Sequence, residues 1–432
     1  MLMNPTPLFI ASRLRLSRKG QGGGVSTGVI VAIAGIGLAI VVMMVSIAVM
    51  NGFRNEIKRK VTGFEAQITV QLPPPASDMA LDNGSLSLTP VALSVTPALD
   101  EAVKELNREG YALTPVLTSM RPMMLKTDSA FKGVVAKGAD TMQGLDFIGS
   151  QMVEGTMPDL TQDVSRNSIV ISRIIADELD LKAGDDVQAY FFGDGNMKVR
   201  KLTVSGVYDT HFVDYDRNCV FTSLSLLRSV DKLADNEGTR LELSGIDDSQ
   251  VTDASRRLQT ILNDNIYTGR DTVIYQVDNV RHRGALYYNW LDLLDTNVTV
   301  ILILMSVVAG FTLISSLFII ILERVNMIGI LKALGASNSF IRQIFIAMSE
   351  RIVLLGMLAG NLIGLPLLAV QHYFHLIPLD PATYNINYVP VEFTIGNFLW
   401  LNAGVLVIAL LVLILPSSLV AKISPARSIR FE

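Results

Sequence analysis

The chain has 432 residues, half of them apolar and 18% charged, which is too oily for an ordinary soluble enzyme and points to membrane spans. Its formal charge of -4 is unevenly spread, and Cys219 is its single cysteine, so no disulfide framework within the chain can carry the fold. Set in Asn-Cys-Val-Phe, Cys219 reads as a small buried strand residue.

In chain order, residues 1–24 form a basic arm with Arg13, Arg15, Arg18 and Lys19 and no acid. No further charge occurs before Arg54, and residues 25–50 make an apolar run long enough to cross a hydrocarbon core of roughly 30 Å as a first transmembrane helix. A cleaved signal peptide has an apolar part of about 7–15 residues ending at a small-residue site. Here the run continues into Met50-Asn51-Gly52-Phe53, and the sequence predicts an anchor that is kept.

Residues 51–295 read as one large mixed α/β domain with a net charge of about -10, which argues against a nucleic-acid partner. Alternating or β-rich runs predict strands at Ala66–Leu72, Lys132–Lys137, Ser168–Ile171, Val187–Phe192, Lys198–Tyr208, Cys219–Thr222 and Arg240–Leu243. Helical spacing predicts helices at Thr96–Glu109, Ser172–Leu181, Ser223–Leu233 and Gln250–Leu262. Gly193-Asp194-Gly195-Asn196 reads as a hairpin turn, and Pro73–Pro97 as a long irregular insertion. His211, Asp214 and Asp216 read as a solvated turn instead of a metal site, since a lone His on a polar loop is a poor ligand set. H-E-x-x-H does not occur, and Gly-Lys is absent throughout, so the phosphate-cradling loop G-x-x-x-x-G-K-[ST] is excluded. The sequence predicts no catalytic residue, no metal and no cofactor; if ATP drives the protein, another chain binds it.

Three further spans are predicted at residues 296–322, 348–371 and 396–418, with Tyr287, Tyr288, Trp290 and Trp400 as interfacial aromatics. Arg324, Lys332, Arg342 and Arg351 lie in and beside the loop 323–347, and Lys422, Arg427 and Arg430 in the tail 419–432; the loop 372–395 has Asp380 and Glu392 but no Lys or Arg. Cytoplasmic loops keep basic residues, so both termini belong inside and residues 51–295 and 372–395 outside. His372 and His375 read as interfacial side chains. No Asp, Glu, Lys or Arg interrupts the apolar runs 25–50, 296–322, 352–371 and 393–421, which disfavours a proton-coupled transporter or an ion channel.

Within the inner loop, Met327, Ile328, Leu331 and Leu334 recur at helical spacing and Gly335 stands where a C-cap glycine is expected. The same period fits an amphipathic helix lying on lipid. In the third span Gly356, Gly360 and Gly364 share one face, either as the seam of a dimer or as a packing contact within the subunit. Pro366 predicts a kink.

Three stretches carry a family resemblance. Glu323-Arg324 followed by Ile328-Gly329-Ile330-Leu331-Lys332-Ala333-Leu334-Gly335-Ala336 resembles the coupling-helix signature of FtsX-like permeases. The end of the first span, Val49-Met50-Asn51-Gly52-Phe53-Arg54-Asn55-Glu56-Ile57, is similar to lipoprotein-releasing permeases of the LolC/LolE type, and the tail from Pro425-Ala426-Arg427 to Glu432 resembles their ending. The resemblance implies four transmembrane helices arranged one plus three around a MacB-like periplasmic core, in the inner membrane. It implies partners too: a cytoplasmic ABC ATPase, a second permease subunit, membrane lipid, a lipoprotein substrate and a periplasmic carrier. Function would be mechanotransmission, with Glu323, Arg324, Ile328, Gly329, Leu331, Lys332, Leu334 and Gly335 coupling to the ATPase. Acyl chains would meet Ile36, Ile40, Met43 and Ile47. In the family's carrier-recruiting permease a protruding hook separates two strands, but here Phe192–Lys198 reads as a tight turn; that departure implies the non-recruiting subunit, or a homodimer with another docking surface. A MacB-type exporter of macrolides or peptides, or an FtsX-like regulator of cell-wall hydrolases, shares the same inner-loop motif.

Overall fold

The computed structural model describes residues 27–73, 91–193 and 197–417. The basic arm 1–24, most of the Pro73–Pro97 insertion, the hairpin tip 194–196 and the tail 419–432 lie outside the described residues. The main helices are α1 (Thr27–Phe64), α2 (Pro97–Arg108), α3 (Arg173–Leu179), α4 (Leu224–Asp231), α5 (Val251–Tyr267), α6 (Ala285–Glu323), α7 (Val325–Ala333), α8 (Asn338–Phe374) and α9 (Ile395–Ser417). The chain divides into two compact units, one drawn from Met1–Arg54, Trp290–Pro378 and Tyr388–Glu432, the other from Asn55–Asn289 and Leu379–Asn387.

In the first unit, α1, α6, α8 and α9 are, among the described residues, the helices long and apolar enough to cross a membrane. α1 is the most enclosed: Val29, Ala32, Ile36, Ala39, Ile40, Met43, Met44 and Ala48 are all buried. α6 and α9 present most of their apolar surface outward. The Ser316 hydroxyl on α6 donates to the Gly28 carbonyl at 3.0 Å. Asn361 of α8 and Asn402 of α9 exchange amide hydrogen bonds at 2.7 and 3.4 Å, a polar clasp of the kind that ties helices together in lipid.

Two helices outrun their apolar stretches. α1 continues beyond residue 50 to Phe64 because Ile57, Val61 and Phe64 keep a helical stripe that is buried. α6 begins at Ala285, before the apolar run, with Tyr288 and Leu291 turned inward.

The second unit is built on strands β1 (Ile68–Gln71), β2 (Leu93–Ser94), β3 (Thr114–Lys126), β4 (Phe131–Ala139), β5 (Met152–Gly155), β6 (Ser168–Ser172), β7 (Asp186–Phe192), β8 (Met197–Tyr208), β9 (Cys219–Thr222), β10 (Glu237–Gly238), β11 (Arg240–Ser244) and β12 (Gln276–Asn279). The main sheet runs β12-β1-β11-β3-β4-β9-β6-β8-β5, and β7 pairs with both β8 and β3. That double pairing closes β3, β4, β9, β6, β8 and β7 into a ring, filled by Leu125, Ala136, Ile169, Ile171, Val187, Phe191, Leu202, Val204 and Val220. Helices α3 and α4 contribute Ile175, Leu179, Leu226, Leu227 and Val230 to the same core. β11, β1 and β12 extend from the ring along β3.

β3 is the long strand that the sequence did not predict. Its prolines explain both the miss and the fit, because proline cannot donate to a ladder and is tolerated where a neighbour is lacking. Pro115 pairs with β11 at a point that β4 does not reach, and Pro122 pairs with β4 where neither β11 nor β7 lines the other side.

Candidate functional site

The inner loop forms α7, and its end is built by local hydrogen bonds. Ala336 N donates to Leu331 O at 2.9 Å and Gly335 N to Lys332 O at 3.0 Å, the two bonds of a Schellman cap. Gly335 takes φ +88°, which a side chain adopts only at a cost of roughly 1–2 kcal/mol. Ser337 then caps α8 by accepting from Phe340 N at 3.2 Å. The apolar residues of this loop do not share one face. Ile328 and Gly329 are buried, with Met327 and Leu331 packed against the bundle core. Ile330 and Leu334 point outward at 57% and 79% exposure; Glu323 and Gly335 are also exposed, and Arg324 and Lys332 half-buried. At 100° per residue, position 330 falls opposite 328, and 334, at the end of the helix, lies about 120° from it. The surface open to a partner is thus Ile330, Leu334 and the charged residues beside them, and Ile330 was not among the residues singled out from the sequence.

The glycine stripe of α8 packs within the chain. A Cβ at Gly356 would stand 2.8 Å from Ile36 Cβ, one at Gly360 2.8 Å from Gly37 O, and one at Gly364 2.8 Å from Met44 Sδ. The three glycines therefore let α8 approach α1 closely. This contact covers Ile36 and Ile40, and Met43 is buried with them; Ile47 is half-buried. Of the four residues expected to meet acyl chains, Ile36 and Ile40 therefore face α8 within the chain. A broad outward apolar surface lies on α6, where Val300, Ile303, Leu304, Val307 and Phe311 are exposed. Two open grooves flank it, one of about 520 Å³ shared with Gly28 and Val31 of α1, the other of about 430 Å³ shared with Ile408 and Val412 of α9.

In the second unit, α1 ends in an aromatic socket. Phe64 stacks on Tyr215 at 4.7 Å between ring centres and meets Phe147, Phe212, Phe221 and Tyr208 at 5.9–6.3 Å. Beside it Lys137 Nζ donates to Phe64 O at 2.9 Å and pairs with Glu242 at 2.8 Å, both side chains about 6% exposed. Lys60, buried on the same helix, donates to Asn385 O at 2.8 Å and so binds the segment Leu379–Asn387. Only the mixed apolar and charged pattern of residues 57–64 could have flagged this end of α1 in advance.

His211, Asp214 and Asp216 do not converge. His211 pairs with Asp209 at 2.9 Å, Asp214 accepts from Tyr287 OH at 2.7 Å, and Asp216 turns inward to accept from Thr210 Oγ1 at 2.6 Å and from the amides of Thr210 and Phe212. Burial also pushes the Cys219 thiol up to about 12, as expected of an inert strand residue. Burial, reinforced by Asp209 and opposed by the Thr210 and Phe212 hydrogen bonds, raises Asp216 from 3.8 to about 6. Because the folded-state value lies above the unfolded one, folding favours the protonated acid. This contribution is complete below about pH 4 and is lost as pH rises through about 6. Asp216→Asn removes the loss. The variant's stability relative to the parent is expected to rise by on the order of 2–3 kcal/mol between pH 4 and pH 7.5, read from urea unfolding at several pH values; a flat difference would exclude this assignment.

Comparison with known proteins adds a family context. The MacB-like periplasmic core domain matches residues 29–261 and the FtsX-like permease C-terminal region matches residues 299–425. The lipoprotein-releasing system transmembrane protein LolC of Xylella fastidiosa (strain 9a5c) is 24% identical over 443 residues, covering 99% of each chain. LolC of Neisseria meningitidis serogroup B is 25% identical over 438 residues, covering 96% of this chain and 97% of its own. Among solved structures, the periplasmic region of MacB from Actinobacillus actinomycetemcomitans aligns at 13% identity with a TM-score of 0.33, over 53% of this chain and 96% of its own.

Proposed function

Because the chain belongs to the permeases that join a MacB-like periplasmic core domain to an FtsX-like C-terminal region, we propose that it is the membrane subunit of an ABC machine extracting lipoproteins from the inner membrane. The observation that carries this reading is the end-to-end likeness to LolC, 99% of both chains in the Xylella protein. A separate ATPase subunit supplies the energy, and a second permease subunit, identical or related, completes the membrane part. Both termini lie in the cytoplasm and the β-rich unit in the periplasm, following the basic residues of the loops.

In this reading α7 is the contact with the ATPase, with Ile330 and Leu334 as the docking residues and Ile328 and Leu331 as their anchors. α1 and α6 each continue past their apolar stretch into the sequence of the second unit, and this continuity supports mechanical transmission without a pore. Acyl chains travel along the exposed face of α6, each buried CH₂ contributing about 0.8 kcal/mol. The β7–β8 hairpin, paired up to Phe192 and Met197, leaves the carrier to dock on another surface or on the second subunit.

Depletion followed by fractionation tests the substrate: lipoproteins are expected to accumulate in the inner membrane, and unchanged sorting, with or without a change in drug export, would overturn the reading. Lys332→Glu and Leu334→Glu test the coupling. Each is expected to weaken ATPase association by about tenfold, or ~1.4 kcal/mol, in co-purification and ATP-turnover assays, and the level of Leu334→Glu stays constant because that position is exposed.

A further inference from the structure

Where α1 leaves its apolar run, three consecutive residues make three different contacts. Gly52 is buried, and a Cβ there would stand 2.8 Å from Val391 N and closer still to the Pro390 carbonyl. One turn earlier the Ala48 carbonyl accepts a hydrogen bond from Glu392 N at 2.9 Å. Positions 48 and 52 share a helix face, so the segment 389–392, between α8 and α9, lies directly on the backbone of α1. The end of α8 holds the same segment: Gln371 Nε2 donates to Val389 O at 3.0 Å and His372 Nδ1 to Val391 O at 3.1 Å. Phe53 meets Trp290 of α6 edge-on at 6.1 Å between ring centres, and Arg54 pairs with Asp295 of α6. With side chains 34% and 38% exposed, this ion pair adds little stability. What it sets is register. The same register runs along the two helices, since a Cβ at Gly28 would stand 3.0 Å from Ile319 Cγ2 and one at Gly35 2.7 Å from Thr312 Cγ2, while Ser306 Oγ approaches Met43 Sδ at 4.0 Å. As positions rise along α1 they fall along α6 without a slip from Gly28 to Arg54. Helices seated on glycines slide only by driving side chains into backbone.

We propose that Gly52, Phe53 and Arg54 are the positioning residues of a joint: they hold α1 and α6 in one register and seat the pair on the segment 389–392, so that the two helices turn together about that segment and do not slide past each other. Gly52 supplies the seat, and Phe53 and Arg54 supply the grip on α6. The inference deepens the proposed ATP-driven function and rests on it for the driving force, but not on the identity of the cargo.

The test uses the full chain with its ATPase subunit in nanodiscs and reads hydrogen exchange of residues 55–72 with and without ATP. The parent is expected to change its exchange when ATP is added. Gly52→Val and Arg54→Asp are each expected to weaken that response at least about twofold, while ATPase association and the exchange measured without ATP stay as in the parent, which a loss of folding would not allow. Arg54→Asp combined with Asp295→Arg is expected to restore the response, because the pair is remade with its charges exchanged. Arg54→Cys combined with Asp295→Cys is expected to respond weakly until a short bismaleimide joins the two thiols, and then to recover; the parent, with Cys219 alone, is the reagent control. A full response in the single variants, a response abolished by the cross-link, or no response in the parent overturns the joint. Normal lipoprotein sorting after depletion, found beside the expected exchange pattern, overturns the cargo reading alone.

Discussion

Replacing Gly360 by leucine is expected to remove most of the folded permease from detergent extracts, whereas Gly404→Ala leaves the yield unchanged. At position 360 a Cβ would stand 2.8 Å from Gly37 O and 2.9 Å from Ile40 Cβ. Neither atom can rotate aside, since one is backbone and the other is attached to it, so α8 must retreat from α1 along its length. Overpacking typically costs about 1–3 kcal/mol, and the isobutyl group of leucine places this site at the upper end. A Cβ at Gly404 meets nothing within 4 Å. Size-exclusion profiles after a heat ramp distinguish the two. Ile40→Ala combined with Gly360→Ala is expected to recover only a small part of what Gly360→Ala loses, because it removes Ile40 Cγ2 at 3.1 Å while the contacts with Gly37 O and the Cβ of residue 40 remain. Equal yields of Gly360→Leu and the parent would mean that the two helices do not meet as described.

Lys137→Met is expected to destabilise the second unit by about 3–5 kcal/mol, because it leaves Glu242 ionised in the interior without its partner. The Phe64 carbonyl loses its donor in the same step. Lys137→Met combined with Glu242→Leu is expected to be closer to the parent than either single change, since exchanging a whole buried pair for apolar side chains is often neutral or better. The coupling energy from the four unfolding curves gives the pair's contribution directly. A double variant as damaged as the sum of the singles would show that the two side chains act independently.

The sequence reveals most where one physical signal dominates. The four long helices follow from runs without charge, and strands such as Cys219–Thr222 follow from short runs of strand-favouring residues. The β3 strand was hidden because Pro115 and Pro122 argue against a ladder unless the gaps in its neighbours are known. Span one is apolar on all sides, so its pattern does not say which side meets lipid; only the packed glycines show that Ile36 and Ile40 face α8. The same spacing of Gly356, Gly360 and Gly364 serves a dimer seam or an internal contact equally well. Lys137 and Glu242 lie far apart on separate strands, and no local pattern links them. In the inner loop, the motif marks the helix but not its outward residues, since Ile328 and Ile330 are equally apolar and point to opposite sides.

The segment Leu379–Asn387 belongs to the second unit although it follows three membrane spans in the chain. Ile386 is buried there, and Asn385 O accepts a hydrogen bond from Lys60 Nζ. The ribosome releases Asn289 long before it reaches this segment. At roughly 5–20 residues per second, the intervening stretch takes on the order of 5–20 seconds to make. During that interval the outer body is covalently present yet unfinished, with a lysine awaiting its acceptor. Completion of the second unit therefore waits on synthesis of a segment beyond the third span, and a chain truncated before residue 379 would lack the carbonyl that Lys60 bonds.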